Sequence, residues 1–148
     1  MTQLEIARKI AINAHEGQFR KMGEDKGKPY IVHPERVSKA LEYYGNIFAA
    51  SGMLHDVLED TNMTEEDLRS QGVHDEVIDV VKHVTKRKGE NYLDFILRIK
   101  EYSFATKVKI ADLKDNMTSL QEGSLLDKYR MALWILTHEC PYEGCIEE

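Results

Sequence analysis

Several things that would decide the class of this chain are scarce in it. It has only two cysteines among 148 residues, Cys140 and Cys145, both close to its C-terminal end. That excludes a disulfide-stapled secreted fold and makes a reducing cytoplasm the expected setting. Positive charge is in deficit, with 20 Lys and Arg against 26 Asp and Glu, a net charge of −6. Binding to DNA or RNA polymers through a general basic footprint is therefore not expected. No apolar run approaches ~18 residues and no charged-then-apolar leader opens the chain, so neither membrane insertion nor export is expected. Period-two alternation is missing too, which removes the main sign of a sheet.

What is present is helical periodicity almost throughout. A hydrophobic content of 42% over this length suits one ordinary domain with a single sizeable core, residues 1–148. Thr2 and Glu5 have the spacing of a capping box, followed by Leu4, Ile6, Ala7, Ile10, Ala11 and Ala14. A first helix fading near Gln18 follows, then a polar loop from Lys21 to Pro29. Pro34 suits a first helical turn, so a second helix is predicted from there to Tyr44, stopped by Gly45. A third is predicted over Ile47–Leu58. Thr64 and Asp67 mark a short fourth helix, and further helices are predicted at 75–85, 91–101, 104–119 and 125–139. The expected fold class is all-α, a compact multi-helix bundle. The tail from Thr137 to Cys145 offers His138, Cys140 and Cys145, but their spacing fits no common zinc module, and no metal clip is expected there.

The stretch Gly52–Thr61 carries the chemistry. It delivers His55, Asp56, Glu59 and Asp60 within six residues of an otherwise apolar helix. Carboxylates at such an edge are costly unless something positive compensates them, and a divalent ion is the simplest candidate. The dipeptide itself is weak evidence: six His and ten Asp would give roughly 0.4 His-Asp pairs by chance, and two occur. His74-Asp75 serves as a control, because it opens a polar helix and is expected to be solvated. His55-Asp56 differs in being flanked by Met53, Leu54, Val57 and Leu58. Neighbouring helical residues point ~100° apart, so both reach one ion only at the helix's edge, and other ligands must come from other helices. His33 before Pro34 and Asp112 within Val108–Leu113 are the candidates. Two imidazoles and two carboxylates suit Mn²⁺, Fe²⁺, Co²⁺ or Zn²⁺ and leave positions open for water and a phosphate oxygen. Acids at a helix C-terminus oppose the macrodipole, which favours a functional reading of Glu59 and Asp60 over a solvated helix end.

Four blocks together extend this reading: Ala14–Lys21, Pro29–Pro34, Leu54–Thr61 and Lys109–Met117. In register they resemble the HD superfamily of metal-dependent phosphohydrolases and, within it, the hydrolase domain of RelA/SpoT alarmone enzymes. The resemblance implies that His33, His55, Asp56 and Asp112 bind a metal, usually Mn²⁺. It implies that Glu59 and Asp60 position or activate the attacking water, that Asn116 lies near the ribose and phosphates, and that Arg20 and Lys21 lie against the base and phosphates. The implied reaction removes the 3′-pyrophosphate of (p)ppGpp, the partner being a nucleotide.

The chain departs from the family pattern in two places. Its loop between Lys21 and Pro29 is longer, and Leu113 and Asp115 stand where Arg and His are common. Three readings remain open: the alarmone pyrophosphohydrolase, a phosphohydrolase of another nucleotide, and a catalytically silent nucleotide-binding domain. The complete ligand set together with Glu59 and Asp60 argues against silence.

Overall fold

Thr2 starts the first helix as its spacing predicts: its hydroxyl accepts from the Glu5 N–H at 3.1 Å and the Glu5 carboxylate accepts from the Thr2 N–H at 2.8 Å. The computed structural model describes residues 1–139. Cys140 and Cys145, and with them the expectation of no zinc clip in the tail, lie outside the described residues. Nine α-helices follow one another among those described: α1 (Gln3–Ala14), α2 (Val32–Leu41), α3 (Asn46–Leu54), α4 (Val57–Asp60), α5 (Glu65–Ser70), α6 (Asp75–His83), α7 (Tyr92–Lys100), α8 (Ser103–Ser119) and α9 (Ser124–Thr137). Strand pairing among the described residues is limited to an isolated bridge between Phe19 and Pro29. The fold is all-α, and no described helix is long and apolar enough to cross a membrane.

Two boundaries differ from expectation in ways that matter for the site. The helix predicted from Pro34 starts at Val32, so His33 lies inside its first turn. Pro34 is tolerated there because first-turn N–H groups have no intrahelical partner to lose. The single helix predicted over Ile47–Leu58 is broken at His55-Asp56 into α3 and α4. His55 turns its Nδ1 onto the Gly52 carbonyl at 2.7 Å, and Asp56 adopts φ −102°, ψ −4°, so the ladder stops and restarts.

The apolar α3 is the central element, packed against α1, α2, α6 and α8. Met53 and Leu54 join Ala7, Ile10, Leu68 and Val77 in one core between α1, α3, α5 and α6. A second core gathers Val37, Leu41, Phe95, Ile99, Val108 and Leu113 from α2, α7 and α8, closed by α9. Each such side chain contributes about 1.5–3 kcal/mol relative to an exposed one. Gly52 sets how closely α3 approaches α2, since a Cβ there would lie 2.7 Å from Leu41 Cδ1 and 3.2 Å from the Ser38 backbone. The Ser38 hydroxyl donates to the Ala49 carbonyl at 2.8 Å across the same contact. This close crossing brings the start of α2 to the end of α3.

Candidate active site

Three helices deliver one cluster. His33 comes from the first turn of α2, His55 from the α3–α4 break and Asp112 from the middle of α8, and one ligand atom of each lies within 4.8 Å of the others. All three are buried, 1%, 3% and 4% exposed. The two Nε2 atoms are 3.2 Å apart, and Asp112 Oδ1 lies 2.9 Å from that of His33 and 3.3 Å from that of His55. Asp56 stands at the rim of this group, its Oδ2 3.0 Å from His55 Nε2 and 3.8 Å from His33 Nε2. Of the four residues expected to bind metal, three converge fully and the fourth borders them.

The donor chemistry fits a cation. His33 Nδ1 faces Asp115 Oδ2 at 2.6 Å and His55 Nδ1 faces the Gly52 carbonyl at 2.7 Å. Both partners are acceptors, so both Nδ1 atoms hold hydrogens, and the Nε2 atoms of the neutral rings present lone pairs. That describes the neutral form; carboxylates this close need positive charge opposite them, which protons on the Nε2 atoms supply in the metal-free protein and a cation would supply in their place. The same field acts on the pKa values. Burial opposes protonation of His55, but Asp56 and Asp112 outweigh it and hold the ring well above its usual 6.5. Burial likewise opposes a charged Asp56, yet His55 brings its carboxyl down to about 2. Asp112 lies well below the usual range because Lys109 and the imidazoles overcome its burial.

A cavity of about 680 Å³ adjoins the cluster, lined by Gln18, Arg20, Lys21, Tyr30, Asp60, Asn116, Leu125 and Tyr129 among others. Asn116 links the two regions: its Nδ2 donates to Asp112 Oδ1 at 3.0 Å, and its Oδ1 accepts from Arg20 Nη2 at 2.7 Å. The Arg20 guanidinium also lies 5.5 Å from the centre of the Tyr30 ring. Tyr30 donates its hydroxyl to Asp56 and reaches Asp60 Oδ2 at 3.4 Å. Burial, then Asp56, push its pKa upward, so Tyr30 stays a donor. Asp60 is raised to about 6 by partial burial and by Asp56 and Glu59. Glu59 does not line the cavity; its carboxylate accepts from the Lys86 N–H at 2.9 Å. Lys21 is an exposed cation on the cavity wall. The control pair behaves as expected, with His74 exposed as N-cap of α6 and Asp75 exposed in its first turn. His15 is a packed core imidazole, bonded through Nδ1 to Gln18 at 2.9 Å.

Comparison with known proteins adds ancestry to this geometry. No family model matches the chain. A Haemophilus influenzae protein named guanosine-3′,5′-bis(diphosphate) 3′-pyrophosphohydrolase is 35% identical over 146 residues, 89% of this chain and 21% of its own length. The Escherichia coli (strain K12) bifunctional (p)ppGpp synthase/hydrolase SpoT is 34% identical over 138 residues, 83% of this chain and 18% of its own. The chain belongs to the SpoT/RelA-type family. It spans about a fifth of the length of these curated relatives. A solved structure of a metazoan SpoT ortholog shares the fold, with a TM-score of 0.71 at 23% identity, covering 92% of this chain and 84% of that one.

This SpoT/RelA-type chain also uses residues that its sequence did not single out for the site. Lys109 Nζ holds Asp112 Oδ2 at 2.8 Å, leaving Oδ1 to face the imidazoles. Tyr30 bridges Asp56 and Asp60, and Asp115 Oδ2 lies 2.6 Å from His33 Nδ1. A usable signal existed on α8, where Lys109, Asp112, Asp115 and Asn116 recur at helical spacing and share one face.

Proposed function

We propose that this chain is a divalent-metal-dependent phosphohydrolase that removes the 3′-pyrophosphate of guanosine 3′,5′-bis(diphosphate). The observation that carries the reading is the convergence of the His33, His55 and Asp112 lone pairs beside the cavity walled by Arg20, Lys21 and Asn116. The printed activities of the relatives support the choice of substrate. His33, His55, Asp56 and Asp112 would hold the ion. Mn²⁺ is the first choice, and Fe²⁺, Co²⁺ and Zn²⁺ suit the same donors. When bound, such an ion supplies Lewis acidity and makes water acidic enough to react near neutral pH.

The protein's own groups do the rest. Asp60, with a carboxyl near 6 on the cavity wall, is suited to take a proton from the attacking water and return it to the leaving 3′ oxygen. In balance, the water oxygen bonds to the phosphorus beside the 3′ oxygen, that P–O bond breaks, and pyrophosphate leaves. Arg20 offers a planar cation for base or phosphate, and Lys21 a point charge. Glu59 holds the Lys86 backbone and so braces the segment carrying Asp60. The reading places the whole chain, as one hydrolytic domain, in the cytoplasm.

One observation favours a second reading, a less charged nucleotide: among the described residues, Arg20 and Lys21 are the only cationic side chains lining the cavity. A hydrolysis screen with Mn²⁺, Co²⁺ and Mg²⁺ in parallel separates the two. Pyrophosphate released from ppGpp, and abolished by Asp56→Asn, supports the first. Phosphate released from mononucleotides with ppGpp inert supports the second, and metal binding without turnover of any nucleotide overturns both.

A further inference from the structure

Behind His33 lies a chain of charges that the hydrolytic reading does not use. Asp115 Oδ2 receives the His33 Nδ1–H at 2.6 Å. The same carboxylate is gripped by Arg36, whose Nε donates to Asp115 Oδ1 at 2.7 Å and whose Nη2 reaches Oδ2 at 3.2 Å. Arg36 lies one helical turn after His33 on α2, so its fork and the imidazole address one carboxylate from one side. The other edge of the guanidinium binds Asp25, with Nη2 donating to Asp25 Oδ2. Asp25 is buried at 4% exposure, although it sits in the Lys21–Pro29 loop, which also walls the cavity through Lys21 and Met22.

We propose that Arg36 and Asp115 are positioning residues for the metal ligand His33, and that Asp25 ties their orientation to the cavity loop. The inference rests on His33 being a ligand. A carboxylate accepting from Nδ1–H fixes the tautomer, aims Nε2 into the cluster and makes it a better donor. A lone Asp115 could rotate away; the Arg36 fork bridging both of its oxygens prevents that. Asp25 then fixes Arg36, so the loop against the substrate and the ring against the ion share one rigid connection. Its tie at the other end is tight as well. Gly23, at φ +71°, lies so near the end of α8 that a Cβ would sit 2.0 Å from the Ser119 carbonyl oxygen.

Charge alone and positioning predict opposite signs for Arg36. Removing a cation near a divalent ion should tighten binding by charge alone, whereas loss of the clamp should loosen it. Mn²⁺ affinity of the full chain, read from the electron paramagnetic resonance signal of the free ion, decides between them without any assay of turnover. Asp115→Asn and Arg36→Ala are each expected to weaken Mn²⁺ by about 10-fold or more, within the 10–100-fold typical of such outer partners. Arg36→Lys keeps the charge but loses the fork and should recover only part of the affinity. Asp25→Asn should give a smaller loss. Thermal midpoints in chelator, taken alongside, identify any variant that fails to fold. Wild-type affinity in folded Asp115→Asn, or unchanged or tighter binding in folded Arg36→Ala, overturns the proposal. Failure of the wild-type chain to bind Mn²⁺, or binding that survives Asp112→Ala, instead overturns the metal-site reading beneath it.

Discussion

Asp60 and Asp112 are both aspartates in one site, and their surroundings drive them in opposite directions. Asp60 is raised to about 6 by burial and by Asp56, while Lys109 and the imidazoles hold Asp112 well below the usual range despite its burial. A group near 6 suits proton transfer and a permanently ionised one suits a cation, so separate failures are expected. Asp60→Asn should lower kcat by about 10²–10⁴-fold while Mn²⁺ stays bound, and Asp112→Ala should lose metal and turnover together. Equal metal loss in both variants would remove the division. With Asp60 as the proposed base, wild-type kcat should rise with pH as its carboxyl ionises, near 6 without metal and lower with a cation beside Asp56, and that limb should vanish in Asp60→Asn. Arg20→Ala should mainly raise KM, since it removes the cavity-wall guanidinium proposed to hold the substrate. His55, Asp56 and Asp112 stood out in the sequence because polar groups in apolar helices need a reason, whereas His33, expected at a helix start before Pro34, was named through the four blocks taken together. Asp115, Arg36 and Tyr30 did not stand out, because their importance lies in what they face across the fold. His33 and Asp115 meet over a separation of 82 residues.

At the scale of elements, capping boxes and breakers gave most of the helices within a few residues. The division of α3 from α4 escaped because Met53, Leu54, Val57 and Leu58 continue the apolar pattern across it. Only the turn of His55 onto the Gly52 carbonyl shows why the ladder stops. Gly52 offered no signal either, since its value lies in the approach of α2. Gly52→Val would drive a branched side chain into Leu41 and the Ser38 backbone. A loss of about 1–3 kcal/mol in denaturant unfolding is expected, with weaker Mn²⁺ binding as His33 and His55 separate. Near-wild-type values for both would refute this account of the helix crossing. Gly23→Ala should act elsewhere, displacing the cavity loop from α8 and raising KM.

For the whole molecule, pH and metal should oppose each other. Burial works against protonation of His33 and His55, but the surrounding aspartates raise both above 6.5. A histidine raised on folding contributes stability that is complete below its unfolded value and lost as pH climbs through the folded one. In chelator, the melting temperature should therefore decline from about pH 6.5 upward. Mn²⁺ competes with those protons, so its stabilising shift should grow over the same range, reaching about 2.7 kcal/mol at a hundred times Kd. Calorimetry across pH with and without Mn²⁺ checks both trends, and a metal shift that shrinks with rising pH would contradict them.

The cluster draws its candidate ligands from helices of both apolar cores: His55 ends a helix of one, while His33 and Asp112 belong to helices of the other. An ion held there would act as a rivet through a seam. Amide hydrogen exchange should then slow on loading in α2, α3 and α8 together, rather than in one layer, so that two halves free to breathe separately would open only as a unit.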